Sequence, residues 1–188
     1  MKSVKKVLAA AGAALGATSI MLAAALPASA ATQGPASHGN YEWITGFLAG
    51  QGALANAPVV PLKLQGAVNT HGSINLGGNS SVGKIWTPKG TLTVLHGNPN
   101  PPPQLNYRTC RETTTVSTWY KVLGRQSSGA FWDAQGSGQA VVVFSAIAPR
   151  HTWGKHKGQC NFGQNVKPEP YGAYISFHAQ GPLHVRHR

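Results

Sequence analysis

The sequence predicts an all-β fold, an antiparallel barrel or sandwich stapled by one disulfide. Short runs of β-branched and aromatic residues alternate with Gly-, Pro- and Asn-rich turn signals, and no convincing long helix interrupts them. Charged residues are few while glycine (23) and proline (13) are abundant, which describes a turn-rich β protein rather than a helical one. The chain also holds two cysteines, Cys110 and Cys160, both downstream of an apparent export signal.

The segment from Thr113 to Pro149 states the class most directly. Thr113–Val122 is rich in residues that lose χ1 freedom in a helix and pack well on a pleated surface. Val116, Thr118, Tyr120 and Val122 share one face, because side chains alternate along a strand. A turn-forming cluster, Gly124–Gly129, follows. Gln139–Ile147 is then apolar on both parities, and its β-branched content and flanking Gly138 and Pro149 favour a covered strand over a buried helix. The two runs read as an antiparallel pair.

Residues 1–30 read as a secretory signal peptide. Lys2, Lys5 and Lys6 make a positive start, Val7–Leu26 is uncharged and Ala/Leu-rich, and Ala28-Ser29-Ala30 is a small-x-small cleavage site after Pro27. Cleavage leaves 158 residues, the length of one domain, and no later stretch is long enough to span a membrane. Thirteen basic and four acidic side chains then remain, a formal charge of +9.

Residues 31–57 read as an N-terminal arm, small and polar up to Asn40 and then a weakly helical Tyr41–Leu48 whose Gly46 argues against a stable helix. The β domain is placed at 58–188. Pro58–Val68 alternates, with Val60, Leu62, Leu64 and Val68 on one parity, and Pro61 marks an edge or bulge. Asn69–Gly72 reads as a turn, Ser73–Leu76 as a short strand, Gly77–Ser81 as a turn, Lys84–Trp86 as a short strand and Thr91–His96 as a clear one. Asn98–Pro103 is an extended polyproline connector. Arg150–Pro170 is long, basic and turn-rich. Ala173–Gln180 is a strand, and Pro182–Arg188 extends the sheet as a final short one.

In an oxidising compartment Cys110 and Cys160 pair with each other. The bridge closes a loop of 50 residues and ties the start of the Thr113 strand to the loop beyond the Val141 strand. No CxxC or Cys/His spacing marks a metal or redox site.

Catalytic signals are missing from the sequence. Glu42, Glu112, Asp133 and Glu169 are scattered, with Glu112 and Asp133 read as surface or turn residues. No G-x-S-x-G elbow or H-E-x-x-H spacing occurs, so no catalytic residue, metal ligand or cofactor is assigned. Basic residues are the more informative signal. Arg150, His151, Lys155, His156, Lys157 and Lys167 cluster in one loop around Trp153, and His184, Arg186, His187 and Arg188 form a tail. An aromatic ring among cations suits stacking on a base or a sugar beside an anionic backbone. The candidate polyanion-binding residues are therefore Arg150, His151, Trp153, Lys155, His156, Lys157, Arg186 and Arg188.

Several short stretches resemble small secreted actinobacterial proteins of the allene oxide cyclase barrel-like, dirigent-like group. They are Pro88–His96, Thr109-Cys110, Ser128–Gly138, Lys157–Asn161 and Ser176–Leu183. Ser128–Gly138 is similar to the group's Gly-Thr-Gly-x-Phe-x-Gly-Ala-x-Gly-x-Gly hairpin, with Ser128 for the Thr and Asp133 for a Gly. The resemblance implies an eight-stranded barrel around a central cavity, filled in some relatives and ligand-sized in others, and homo-oligomers. Gly129, Gly136 and Gly138 are expected to take positive φ or bulges that bend the closing sheet, and Phe131 and Ala134 to plug one barrel mouth. No position matches the cavity-lining polar residues of members that act on oxylipins or guide phenoxy radicals.

The expected function is that of a secreted, non-enzymatic barrel that binds a cell-envelope polyanion or another extracellular ligand, without nucleic-acid specificity. The alternative is a barrel-cavity enzyme, an isomerase, cyclase or dirigent-like protein, acting on a small hydrophobic molecule. An open cavity lined by polar groups favours the second, a filled barrel the first.

Overall fold

The computed structural model describes residues 40–77, 80–163 and 165–186; the expected leader at 1–30, residues 31–39, and His187 and Arg188 lie outside them. Among the described residues nine strands form one sheet: β1 (Tyr41–Ala49), β2 (Val59–Gly66), β3 (Thr70–Asn75), β4 (Val82–Thr87), β5 (Gly90–His96), β6 (Gln104–Asn106), β7 (Arg111–Val122), β8 (Gln135–Ile147) and β9 (Glu169–His184). β1 to β5 meander, β7 to β9 meander, and every pairing is antiparallel. β5 pairs with β7 and β9 pairs with β1, so eight strands close into an up-and-down barrel. The short β6 continues along the edge of β7 that β5 uses, toward Arg111. Closure leaves the eight strands no free long edge.

Interior positions follow the alternation read from the sequence. Val60, Leu62 and Leu64 of β2, Tyr120 and Val122 of β7, and Ile175, Phe177 and Ala179 of β9 are buried. With Ile44 of β1 and Leu92 of β5 they form one apolar cluster across the middle of the barrel. Among the described residues no helix is long and apolar enough to cross a membrane.

The N-terminal expectation needs correcting. Tyr41–Ala49 is neither an arm nor a helix but a full barrel strand, hydrogen-bonded to β2 on one side and to β9 on the other. The β domain therefore begins before residue 58. Among the described residues of this region, helical geometry is confined to one 3-10 turn, Gly50–Leu54. The β-forming Tyr41, Trp43, Ile44, Thr45 and Phe47 outweigh the weak helical spacing. Gly46 marks a close strand crossing, because a Cβ there would meet Leu62 Cδ2 at 2.5 Å. Three boundaries also move. β3 starts at Thr70, inside the expected turn, β8 starts at Gln135, and the last two expected strands are the single β9. Pro182 is tolerated in β9 because it sits at the end of the ladder, opposite Tyr41, and Leu183 N–H resumes bonding with the Asn40 carbonyl at 2.9 Å.

The register sorts the barrel into two ends. One gathers Tyr41, Gly66, Gly90, Val122, Gln135 and His184, the other Ala49, Val59, His96, Arg111, Ile147 and Glu169. The first is plugged by residues 123–134, two 3-10 turns (Gly124–Gln126 and Gly129–Phe131) that run along β5. Ser127 Oγ accepts the Thr93 N–H at 2.9 Å, Thr93 Oγ1 donates to the Gln126 carbonyl at 2.9 Å, and Ala130 N–H donates to the Lys89 carbonyl at 2.7 Å. Phe131 (0% exposed) and Ala134 (1%) fill the mouth, as the hairpin motif led us to expect. Of the three motif glycines only Gly129 has a positive φ, +61°. Gly138 is extended and makes room instead: a Cβ there would meet the Tyr120 Oη at 2.7 Å. The opposite end carries the Cys110–Cys160 disulfide.

Candidate functional site

The basic loop is a built arm rather than a floppy connection. It leaves β8 and folds back on itself, with an Arg150–Cys160 bridge at its root beside the disulfide. Asn161 N–H donates to the Pro149 carbonyl at 2.8 Å, His151 N–H to the Gln159 carbonyl at 2.9 Å, and Gly158 N–H to the His151 carbonyl at 2.8 Å. Trp153 stands at its tip, 83% exposed, and Lys155 and Lys157 are exposed beside it. The His151 and His156 rings lie 5.8 Å apart, and His156 Nδ1 meets Gln159 Oε1 at 3.0 Å.

Two expected members leave this cluster. Arg150 spends its guanidinium on the scaffold, donating to the Gly158 carbonyl at 2.6 Å and the Arg108 carbonyl at 2.9 Å. Arg186 lies at the plugged end and pairs with Asp133 at 3.0 Å, so it and the loop do not form one surface. The sequence grouped them by charge, and a 16-residue β9 separates them in space. Arg188 lies outside the described residues. The Arg186–Asp133 contact is the one ion pair among the described residues, so no carboxylate neutralises Lys155 or Lys157. No group of three or more His, Cys, Asp or Glu gathers into a metal-sized cluster among them.

A second site lies at the plugged end, and sequence reasoning missed its central residue. Glu42, two residues into β1 on the parity of Ile44, points into the barrel and is 1% exposed. Its Oε2 accepts the Val68 N–H at 2.8 Å, while Oε1 has no hydrogen-bond partner among the described residues. Burial pushes the carboxyl up to about 7, and the Val68 and Ala67 amides and then the Lys89 charge pull it down without offsetting that cost. Tyr120 reaches the same region. Its hydroxyl occupies the space left by Gly138 and by Gly181, the residue opposite Glu42. Burial, then the Tyr41 and Glu42 charges, push this phenol up to about 12. Reading Tyr41–Ala49 as a strand would have exposed Glu42, since its parity is otherwise Ile44, Gly46 and Leu48.

Above Glu42 opens a pocket of about 670 Å³, walled by Val68 and Asn69 of the β2–β3 turn, Lys89 of the β4–β5 turn, Ala130 and Trp132 of the plug, and Arg186. None of its wall residues comes from the middle of the barrel, where the apolar cluster is continuous. The other carboxylates do not join Glu42. Asp133 is a turn residue with φ +61° that holds Arg186. Glu112 stands at the opposite end of β7, eight residues from Tyr120 and so about 26 Å along the strand. Burial raises its pKa too, yet no two acids face one bond.

These features define an eight-stranded, disulfide-stapled barrel with a filled middle, a basic arm at one end and a walled pocket at the other. No family model, curated protein or solved structure matches the chain.

Proposed function

We propose that this chain is exported, acts outside the cell as a non-enzymatic binding barrel, and holds an anionic envelope polymer with the arm around Trp153. The observation that carries this reading is the exposed Trp153, Lys155 and Lys157 on a disulfide-rooted arm, with no carboxylate among the described residues paired to either lysine. Such a surface attracts polyanions through counterion release, and its ring can lie on a sugar or a base. The disulfide fits an oxidising exterior, and the closed eight-stranded barrel fits the architecture implied by the allene oxide cyclase barrel-like, dirigent-like resemblance. The filled middle of the barrel weighs against an enzyme working on a hydrophobic molecule inside it.

Titration of the protein with poly(glycerol phosphate) across a salt series tests the reading. Affinity is expected to fall as salt rises, and Lys155→Gln/Lys157→Gln should flatten the log–log slope by about one unit per lysine. Binding indifferent to salt and to both substitutions overturns it.

A further inference from the structure

We infer that the pocket at the plugged end is a second, separate binding site, for an acidic sugar unit such as a uronate. Both charged residues on its walls, Lys89 and Arg186, are cations. Lys89 brings an ammonium group whose charge already reaches Glu42 beneath the floor. Asn69 uses its Oδ1 to accept the Gly66 N–H at 3.2 Å, which leaves its amide NH2 as the free end of that side chain. Arg186 stands at the rim, 77% exposed, where its guanidinium pairs with Asp133 at 3.0 Å. With Arg186 paired to Asp133, the Lys89 ammonium is the wall charge left to select an anion.

The body of the ligand is set by the remaining walls. Trp132 is half exposed and lines the pocket, offering a flat face to a ring. Val68, Ala130 and Val185 are small and apolar, which suits the carbon face of a sugar rather than a long acyl chain. Beneath Val68 lies the built element of the site, the buried Glu42 carboxyl, with Oε2 fixed by the Val68 N–H and Oε1 unpartnered among the described residues. A buried polar atom without a partner is uncommon in a folded protein, and the Glu42 carboxyl is tied to the pocket through its bond to the wall residue Val68. The pocket volume of about 670 Å³ accommodates a single ring with its substituents and leaves the mouth open for a chain to continue. The site does not depend on the arm, since the two lie at opposite ends of the barrel.

Intrinsic tryptophan fluorescence and calorimetry of the full chain, titrated with glucuronate and with glucose, test the site. Glucuronate is expected to bind at least tenfold more tightly than glucose. Lys89→Gln should weaken it at least fivefold, and Trp132→Ala should weaken it while circular dichroism stays unchanged. The arm variant Lys155→Gln/Lys157→Gln should bind glucuronate like the parent, which separates failure of the pocket from failure of the arm. A glucuronate-terminated oligosaccharide that binds more tightly than the free sugar points to a polymer end as the source, and equal affinity points to the free acid. No glucuronate binding, or binding that ignores Lys89→Gln, overturns the inference.

Discussion

The two ends of the barrel are both irregular, and they are held by opposite means. The arm at the disulfide end buries little. Trp153, Lys155 and Lys157 face water, and its shape comes from the Cys110–Cys160 bond, hydrogen bonds within the arm and the Arg150 tie. The plug at the other end is packed: Phe131 and Ala134 are sealed, and Thr93, itself fully buried, is bonded to Ser127 and Gln126. A covalent root lets a segment keep its shape without a core, so its side chains stay available to a partner. A packed plug keeps its shape by burial, and what it offers a ligand is a pocket wall. The difference explains why the arm presents loose charge while the plug presents a walled site.

If that contrast holds, two losses of similar size should act on different regions. Phe131→Ala is expected to cost about 4 kcal/mol through the cavity it leaves in the folded state. Its hydrogen exchange should quicken at the Thr91 and Thr93 amides, which the plug holds, and not at the His151 and Asn161 amides of the arm. Cys110→Ser/Cys160→Ser is expected to cost up to about 4 kcal/mol, mainly by freeing a 50-residue loop in the unfolded chain. Here the arm amides should exchange faster and the plug amides keep their protection relative to global stability. Exchange that rises equally at both ends in either variant would break the comparison.

A smaller and more specific effect belongs to Glu42. Its carboxyl is pushed up to about 7 in the folded protein and returns to an ordinary carboxylate in the unfolded chain, 4.5 by reference. A raised acid pKa means that folding disfavours the ionised form. The penalty is absent below about 4.5, grows as pH rises through 7, and reaches about 3 kcal/mol once the group is ionised in both states. Lys89, Tyr120 and Tyr41 are the other titratable groups near this carboxyl, and Lys89 keeps the penalty below what burial alone would impose. Denaturant melts at pH 5 and pH 8 should show stability falling between them, and Glu42→Gln should remove most of that fall. A parent protein equally stable at both values would show that Glu42 is not held as a buried acid.

Much of the barrel was legible in the residues themselves. Val60, Leu62 and Leu64, then Tyr120 and Val122, announced which faces of β2 and β7 turn inward, because side-chain alternation is local and survives in any sheet that buries one face. Phe131 and Ala134 were legible for another reason, as parts of a short motif around closely spaced glycines. β1 was not. Tyr41–Ala49 has weak periodicity and a central glycine, and its strand geometry is imposed by β2 and β9 pairing on both sides. With β1 unread, Glu42 stayed one of four scattered acids. Arg186 was misplaced for a related reason: like charge in the last third of the sequence suggested one surface, while β9 carries the chain from one end of the barrel to the other.

Composition, alternation and cysteine pairing, all local or countable, were enough to establish an all-β chain with one staple, a basic balance and no catalytic motif. Closure through β5–β7 and β1–β9, the burial of Glu42 beneath Val68, its approach to Tyr120 over Gly138 and Gly181, and the separation of the arm from the pocket came only with the folded barrel. Each depends on register between residues far apart in the chain, and register is fixed when many strands pack at once, not by any one of them.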